Sequence, residues 1–189
     1  MFRADEKHRV DRIRLEEKLK DRREHYEYQI ESYSEEIKEI LKFEDLMAFP
    51  QYMEKIDKYS EILAGLEEEM DMINDEERKM FGFNTTFDTF LKMKALFIPH
   101  NDMWRAIAIF QKKKKEWKES SLRNIDPTEV DSLIKQNIRT LQKVAKVFEK
   151  KPTALLVCQK FKKDLEELSK MLPTIEVLCN PGKLYFLPL

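Results

Sequence analysis

The sequence predicts an all-α protein, an elongated bundle or rod of long helices with proline-marked breaks, and three observations carry that prediction. Only 3 glycines occur in 189 residues, so tight turns and hairpins have few places to form. Charged residues (38%) nearly equal apolar ones (42%), a balance too apolar for a disordered tail and too charged for a compact core with little surface. Apolar residues recur at intervals of three and four over long stretches, and no β-period alternation of useful length occurs.

Residues 4–43 contain neither proline nor glycine and are rich in strong helix formers, which predicts one helix of roughly 60 Å at about 1.5 Å per residue. Ile30, Tyr33, Ile37, Ile40 and Met47 form a heptad seam in its second half, flawed by Glu44 where an apolar residue is due. Arg9, Arg12, Arg22 and Arg23 crowd the first half, and only Val10, Ile13, Leu15 and Leu19 offer apolar surface there. Residues 1–29 are therefore expected to be a charged, mobile helical extension, with residues 30–182 a helical region and residues 183–189 a divergent tail.

Pro50 lacks a backbone donor and clashes with the preceding turn, so the first helix should kink or stop near Ala48 and Phe49. Tyr52, Ile56, Tyr59, Leu63, Leu66, Met70 and Ile73 then give the cleanest heptad run, shifted by one residue in phase from the run before the proline. Asn74, Asp75, Glu76 and Glu77 punctuate that helix, and residues 81–86 read as a connection whose threonines can cap the next one. Phe87, Phe90, Leu91 and Lys94 continue as helix to about Phe97, and Pro99 is expected to restart the chain ahead of a Met103, Ile107, Phe110, Trp117 stripe. Residues 120–125 read as a loop. Asp126 with Pro127 and Glu129 is the best cap signal, predicting a helix that Val130, Ile134, Leu141, Ala145 and Phe148 carry to Lys150. Pro152 opens the last helix, with Leu155, Cys158, Phe161, Leu165, Leu168 and Leu172 on one face, and Pro173 is expected to end it.

The residues offer no catalytic, cofactor-binding or metal-ligating site, and no cofactor is expected. Gly65, Gly82 and Gly182 stand alone, outside the Gly-x-x-x-x-Gly-Lys frame whose backbone N–H groups cradle phosphate. His8, His25 and His100 read as isolated surface histidines, and Cys158 and Cys179 as reduced structural thiols with no metal-ligand spacing. Lys112, Lys113, Lys114 and Lys115 span about 300° of helix, so they read as a solvated face and not a patch, with Trp117 anchored on the apolar stripe. Trp104 reads as a packing residue, and Tyr52 and Tyr59 as seam filler. A net charge of −1 with mixed signs points to protein partners and away from nucleic acid. No run of about 18 apolar residues and no signal-peptide core occurs, so no membrane partner is expected and the protein should be cytoplasmic.

Ile73, Asn74, Asp75, Glu76 and Glu77, then Phe83 to Phe87, then the run Leu96, Phe97, Ile98, Pro99, His100, Asn101, Asp102, Met103, Trp104 stand in an order that resembles the dynein heavy chains, the ATP-driven microtubule motors. His100 departs from the Tyr or Phe usual there. Leu172 to Cys179 followed by Asn180, Pro181 and Gly182 is similar to the helix-to-turn segment of that family's linker, but Lys183 to Leu189 replace the Met/Leu-Arg-x-Arg-His-Trp run that normally comes next. The resemblance covers residues 30–182 and favours the axonemal, ciliary branch.

It implies the start of the linker, the helical arm joining the tail to the AAA+ ring, cut before the motor. The expected function is then a fragment or short isoform of a dynein heavy chain, not itself an enzyme, with dynein subunits or the AAA+ ring as partners and the cytoskeleton or axoneme as location. A free-standing coiled-coil scaffold that dimerises along the Tyr52 to Ile73 seam is the competing reading, and a helical enzyme the weakest. Leu178, Leu184, Phe186 and Leu187 are expected to lack cover and to promote self-association.

Overall fold

The computed structural model describes residues 2–121 and 124–179. Among these residues the fold is all-α: α1 (Phe2–Ile40), a 3₁₀ turn (Leu46–Ala48), α2 (Phe49–Phe81), α3 (Asp88–Glu119), α4 (Pro127–Val147) and α5 (Pro152–Cys179), with no strand. Two compact units divide them. The first combines the residues up to Glu39 with Asp57–Phe97, and the second combines Ile40–Ile56 with the residues from Ile98 onward.

In the first unit four of the five heptad positions predicted on α2 are buried: Tyr59, Leu63, Leu66 and Ile73 face Leu19, Tyr26, Ile30 and Ile37 of α1, while Met70 is half-buried. The two helices run antiparallel, because Arg22 meets Glu69, Tyr26 Oη donates to the carbonyl of Leu66 at 3.0 Å, and Tyr59 Oη donates to Glu36 at 2.5 Å. Phe87, Phe90, Met93 and Phe97 of α3 complete this core, with Tyr26 edge-on to Phe87 at 4.8 Å. Val10, Ile13 and Leu15 are exposed, and burial on α1 begins at Leu19, well before Ile30.

In the second unit the core is built from rings. Phe43 and Tyr52 stack at 3.9 Å and present their pair to the edge of buried Trp104. Phe110 packs edge-on to Phe161 at 5.4 Å, and α4 lays Val130, Ile134, Leu141 and Val144 against Ala154, Val157 and Leu165 of α5. Asp126 caps α4 as expected, in extended backbone (φ −89°), with its carboxylate accepting from the Thr128 N–H at 2.8 Å.

Several boundaries differ from the expectation, each for a physical reason. α1 stops at Ile40, before Pro50, and Met47 is 79% exposed, so it does not belong to the seam. The proline instead sits in the first turn of α2, where its missing donor would be unpaired anyway. Asn74, Asp75, Glu76 and Glu77 do not end α2. The helix continues to Phe81, and Gly82 with φ 77° makes the turn, a left-handed backbone that favours glycine. Thr85 accordingly does not cap α3, because its N–H and hydroxyl both donate to buried Glu77.

α3 does not restart at Pro99. An internal proline costs about 3 kcal/mol, whereas Phe97, Met103, Trp104 and Ile107 on either side are buried at about 1.5–3 kcal/mol each, so packing holds the helix continuous. α5 likewise continues through Pro173 to Cys179, with half-buried Leu172 and Ile175 on either side of it. Glu129 does not close a capping box; it pairs with Lys113 at 2.8 Å. The turn at Asn180, Pro181 and Gly182, the tail at 183–189, and residues 122–123 of the predicted loop lie outside the described residues.

Candidate functional site

The side chains that could do chemistry fall into three groups, and the first lies on the facing sides of α1 and α2. Heptad packing brings Arg22 to the rim of the seam, where its guanidinium forks onto Glu69 at 2.5 and 3.0 Å and reaches Glu76 at 2.7 Å. Hydrogen bonding to Arg22 holds the Glu69 carboxyl below the usual glutamate range, and the same bond raises Arg22. One turn further, Glu77 is buried, accepts twice from Thr85, and has Arg23 Nη1 at 3.7 Å. These carboxylates are occupied by donors and oriented by them, which is the arrangement of a structural clasp and not of a general acid or base.

The second group is the set of titratable residues within the two cores. Burial raises the Tyr26 phenol, and burial together with the bond to Glu36 pushes Tyr59 up to about 12. Burial pushes the Cys158 thiol up to about 11, and its sulfur lies 3.4 Å from Met103 Sδ, so it packs as an apolar residue. His100, expected at the surface, is 1% exposed and lies over the Phe148 ring at 4.5 Å. The reason is its place on the apolar face of α3, one turn before Met103 and Trp104, where an aromatic ring is called for. His8 and His25 are exposed. Among the described residues no group of three or more His, Cys, Asp or Glu side chains is placed to hold a metal ion, and no helix is long and apolar enough to cross a membrane.

The third group lies in the second unit, where a cleft of about 240 Å³ runs between α3 and α4. Asp102, Arg105 and Ile109 line it from α3, and Gln136, Thr140 and Lys143 from α4. Arg105 Nε donates to Asn101 Oδ1 at 2.8 Å, and buried Asn137 turns its amide to the Leu133 carbonyl at 2.8 Å. The lining gives the cleft a cationic wall from Arg105 and Lys143 and an exposed isoleucine, Ile109. The lysine run beyond it is dispersed: Lys113 meets Glu129 and Glu116, Lys114 sits over the Phe110 ring at 5.9 Å, and Lys115 meets Glu119. The neighbouring Trp117 is half-buried, edge-on to Phe110 at 6.4 Å.

Sequence reading missed Glu77 and the α3–α4 cleft. Glu77 carried no signal beyond its charge, because burial of a glutamate depends on the loop that returns to it. The cleft had one available signal, the exposed-face repeat of basic residues on α4.

Residues 90–183 match the family model described as dynein heavy chain, N-terminal region 2, which spans nearly all of α3 and the whole of α4 and α5. The chain is similar to dynein axonemal heavy chain 3 of Mus musculus, 23% identical over 160 residues, covering 83% of this chain and 4% of that protein. Human dynein axonemal heavy chain 3 is 22% identical over the same share, and mouse dynein axonemal heavy chain 1 is 24% identical over 116 residues, 61% of this chain and 3% of that protein. The chain thus spans about 4% of the length of the relatives it matches first. No solved structure matches.

Proposed function

We propose that this chain, whose residues 90–183 match the model of dynein heavy chain N-terminal region 2, is the N-terminal part of the linker arm that couples a dynein tail to its AAA+ ring. Its role is mechanical, in microtubule-based ciliary movement, with no motor activity of its own, and its partners are dynein subunits or the ring of a longer heavy chain. Cytoplasm, cytoskeleton and axoneme are the corresponding locations. The observation that carries the reading is the family match, which falls on three consecutive helices whose residues from Ile98 onward form a block within the second unit, with its own apolar core. Such a block transmits force because close-packed interiors have low compressibility.

The free-standing scaffold has less support. Tyr59, Leu63, Leu66 and Ile73, the residues that would zip a parallel dimer, are already buried within the first unit. A recombinant AAA+ ring from an axonemal heavy chain lacking its own linker start is the test partner. Saturable binding of the purified chain to that ring, without nucleotide binding by the chain itself, is expected. A chain that ignores the ring and sediments as a parallel dimer would return the reading to the scaffold, and saturable ATP binding by the chain alone would refute a purely mechanical part.

A further inference from the structure

We propose that the cleft between α3 and α4 is a docking groove for an acidic amphipathic helix of another protein. This goes beyond the linker reading and does not depend on it. The first argument is size. At about 240 Å³ the cleft is smaller than the roughly 300–1,000 Å³ that encloses a small ligand, yet it lies along two adjacent helices, the shape that receives side-chain knobs from a third.

The second argument is the apolar anchor. Ile109 lines the cleft and is 54% exposed, on the same face as Asp102 and Arg105 at intervals of four and three. An isoleucine flanked by a groove is a receptor position for a partner's leucine or methionine, spaced as one helix meets another.

The third argument is charge. Gln136, Arg139, Lys143 and Lys146 recur at three, four and three on α4, within about 80° of its circumference. Arg139, Lys143 and Lys146 are exposed, and none has an ion-pair partner among the described residues. Some exposed cations elsewhere are matched within their own helix, as Lys135 is with Asp131, Lys162 with Glu166 and Lys20 with Glu24; what sets Arg139, Lys143 and Lys146 apart is that they line one face next to the cleft. An unmatched cationic stripe beside a cleft that also offers Ala106, Ile109 and Leu133 complements a helix with apolar residues at three- and four-residue spacing and carboxylates along one flank. Asp102, the one carboxylate in the cleft, accommodates a single base in that helix.

The probe is a synthetic helix of about three heptads with leucines at the seam, glutamates on one flank and a fluorescent label, titrated with the full chain by anisotropy. Saturable binding that weakens at least about tenfold in Ile109→Asp and in Lys143→Glu, and weakens with added salt, is expected. Ile109 is solvent-facing, so an unchanged circular dichroism melt certifies that each variant is folded. The proposal is overturned if a scrambled peptide of the same composition or polyglutamate binds as well, which would make the surface charge-only. It is overturned equally if the glutamate-to-lysine peptide binds, if Ile109→Asp has no effect, or if the acidic peptide fails to bind at about millimolar concentration. Sedimentation showing a self-dimer that Ile109→Asp dissolves would assign the groove to a second copy instead.

Discussion

The two units solve the same problem, joining long charged helices, with different materials. In the first, aliphatic heptad residues and two tyrosines meet between α1 and α2, and the rim is tied by Arg22 to Glu69 and Glu76, by Lys94 to Glu67, and by Tyr59 to Glu36. In the second, the joints are rings: Phe43 on Tyr52, Trp104 on both, Phe110 on Phe161, and His100 on Phe148, with Lys113 and Glu129 forming an ion pair between α3 and α4. The difference teaches where each unit is vulnerable. A seam with an ionic rim responds to pH and salt, while a ring-built core responds to lost volume.

The largest effect should come from Phe161→Ala. Phe161 is fully buried against Phe110, and truncating such a ring costs about 3–5 kcal/mol through lost burial and the cavity left behind. Urea unfolding monitored by circular dichroism measures it. A loss below about 1.5 kcal/mol, the size of a volume-conserving swap, would mean that the ring core can collapse around the gap and that the second unit is not packed as described.

Tyr26→Phe should cost less, about 0.5–1.5 kcal/mol, because only the bond to the Leu66 carbonyl is lost while the ring stays packed on Phe87. Its sharper signature is alkaline. The raised phenols of Tyr26 and Tyr59 remain protonated in the folded state after the unfolded chain begins to ionise near the ordinary tyrosine value of 10, so their contribution is intact below that pH and is lost as pH rises through the folded values. Tyr26→Phe should therefore flatten the decline in stability above about pH 10. An unchanged slope would place the alkaline sensitivity in Tyr59 or in Cys158 of the other unit, whose raised groups have the same sign.

Gly65→Ala tests the seam from the opposite direction. Gly65 lies exposed in the middle of α2, and a Cβ built there meets nothing within 4 Å. The substitution should stabilise by about 0.5–1 kcal/mol through the unfolded chain's lost freedom and alanine's helix propensity. Destabilisation would reveal that the shallow groove between His25, Tyr33 and Ile62 is occupied in the folded protein.

Legibility followed locality. The α2 seam, the Asp126 cap and the packing role of Trp104 were readable because each depends on spacing within a few turns. Pro99 and Pro173 were misleading for the same reason. A proline's local cost is fixed, but whether a helix survives it depends on how much apolar surface is buried on both sides, and that is decided by other helices. His100 and Glu77 show the limit most plainly. The histidine is inside because Phe148 at the end of α4 covers it, and the glutamate is inside because Thr85 folds back to bond it, two facts that no window of sequence contains.

The smallest effect, and the one that most directly tests the ionic rim, is expected at Arg22. Its guanidinium and the Glu69 carboxylate are 32% and 30% exposed, so solvent screens the pair, and Arg22→Ala should cost about 0.2–1 kcal/mol near neutral pH. The sign with pH is set by Glu69. Its folded pKa lies below the ordinary glutamate value of 4.5, so the pair's stabilisation is present above that value and is lost as pH falls through the folded one. The gap between wild type and Arg22→Ala should consequently close in acid and also shrink at about 1 M salt, where the Debye length falls to roughly 3 Å. Urea midpoints of both proteins at neutral and acid pH, at low and high salt, provide the four comparisons. A gap that survives both acid and salt would show that Arg22 acts through its contact with Met72, whose Sδ its Nη2 approaches at 3.8 Å, and not through its ion pairs with Glu69 and Glu76.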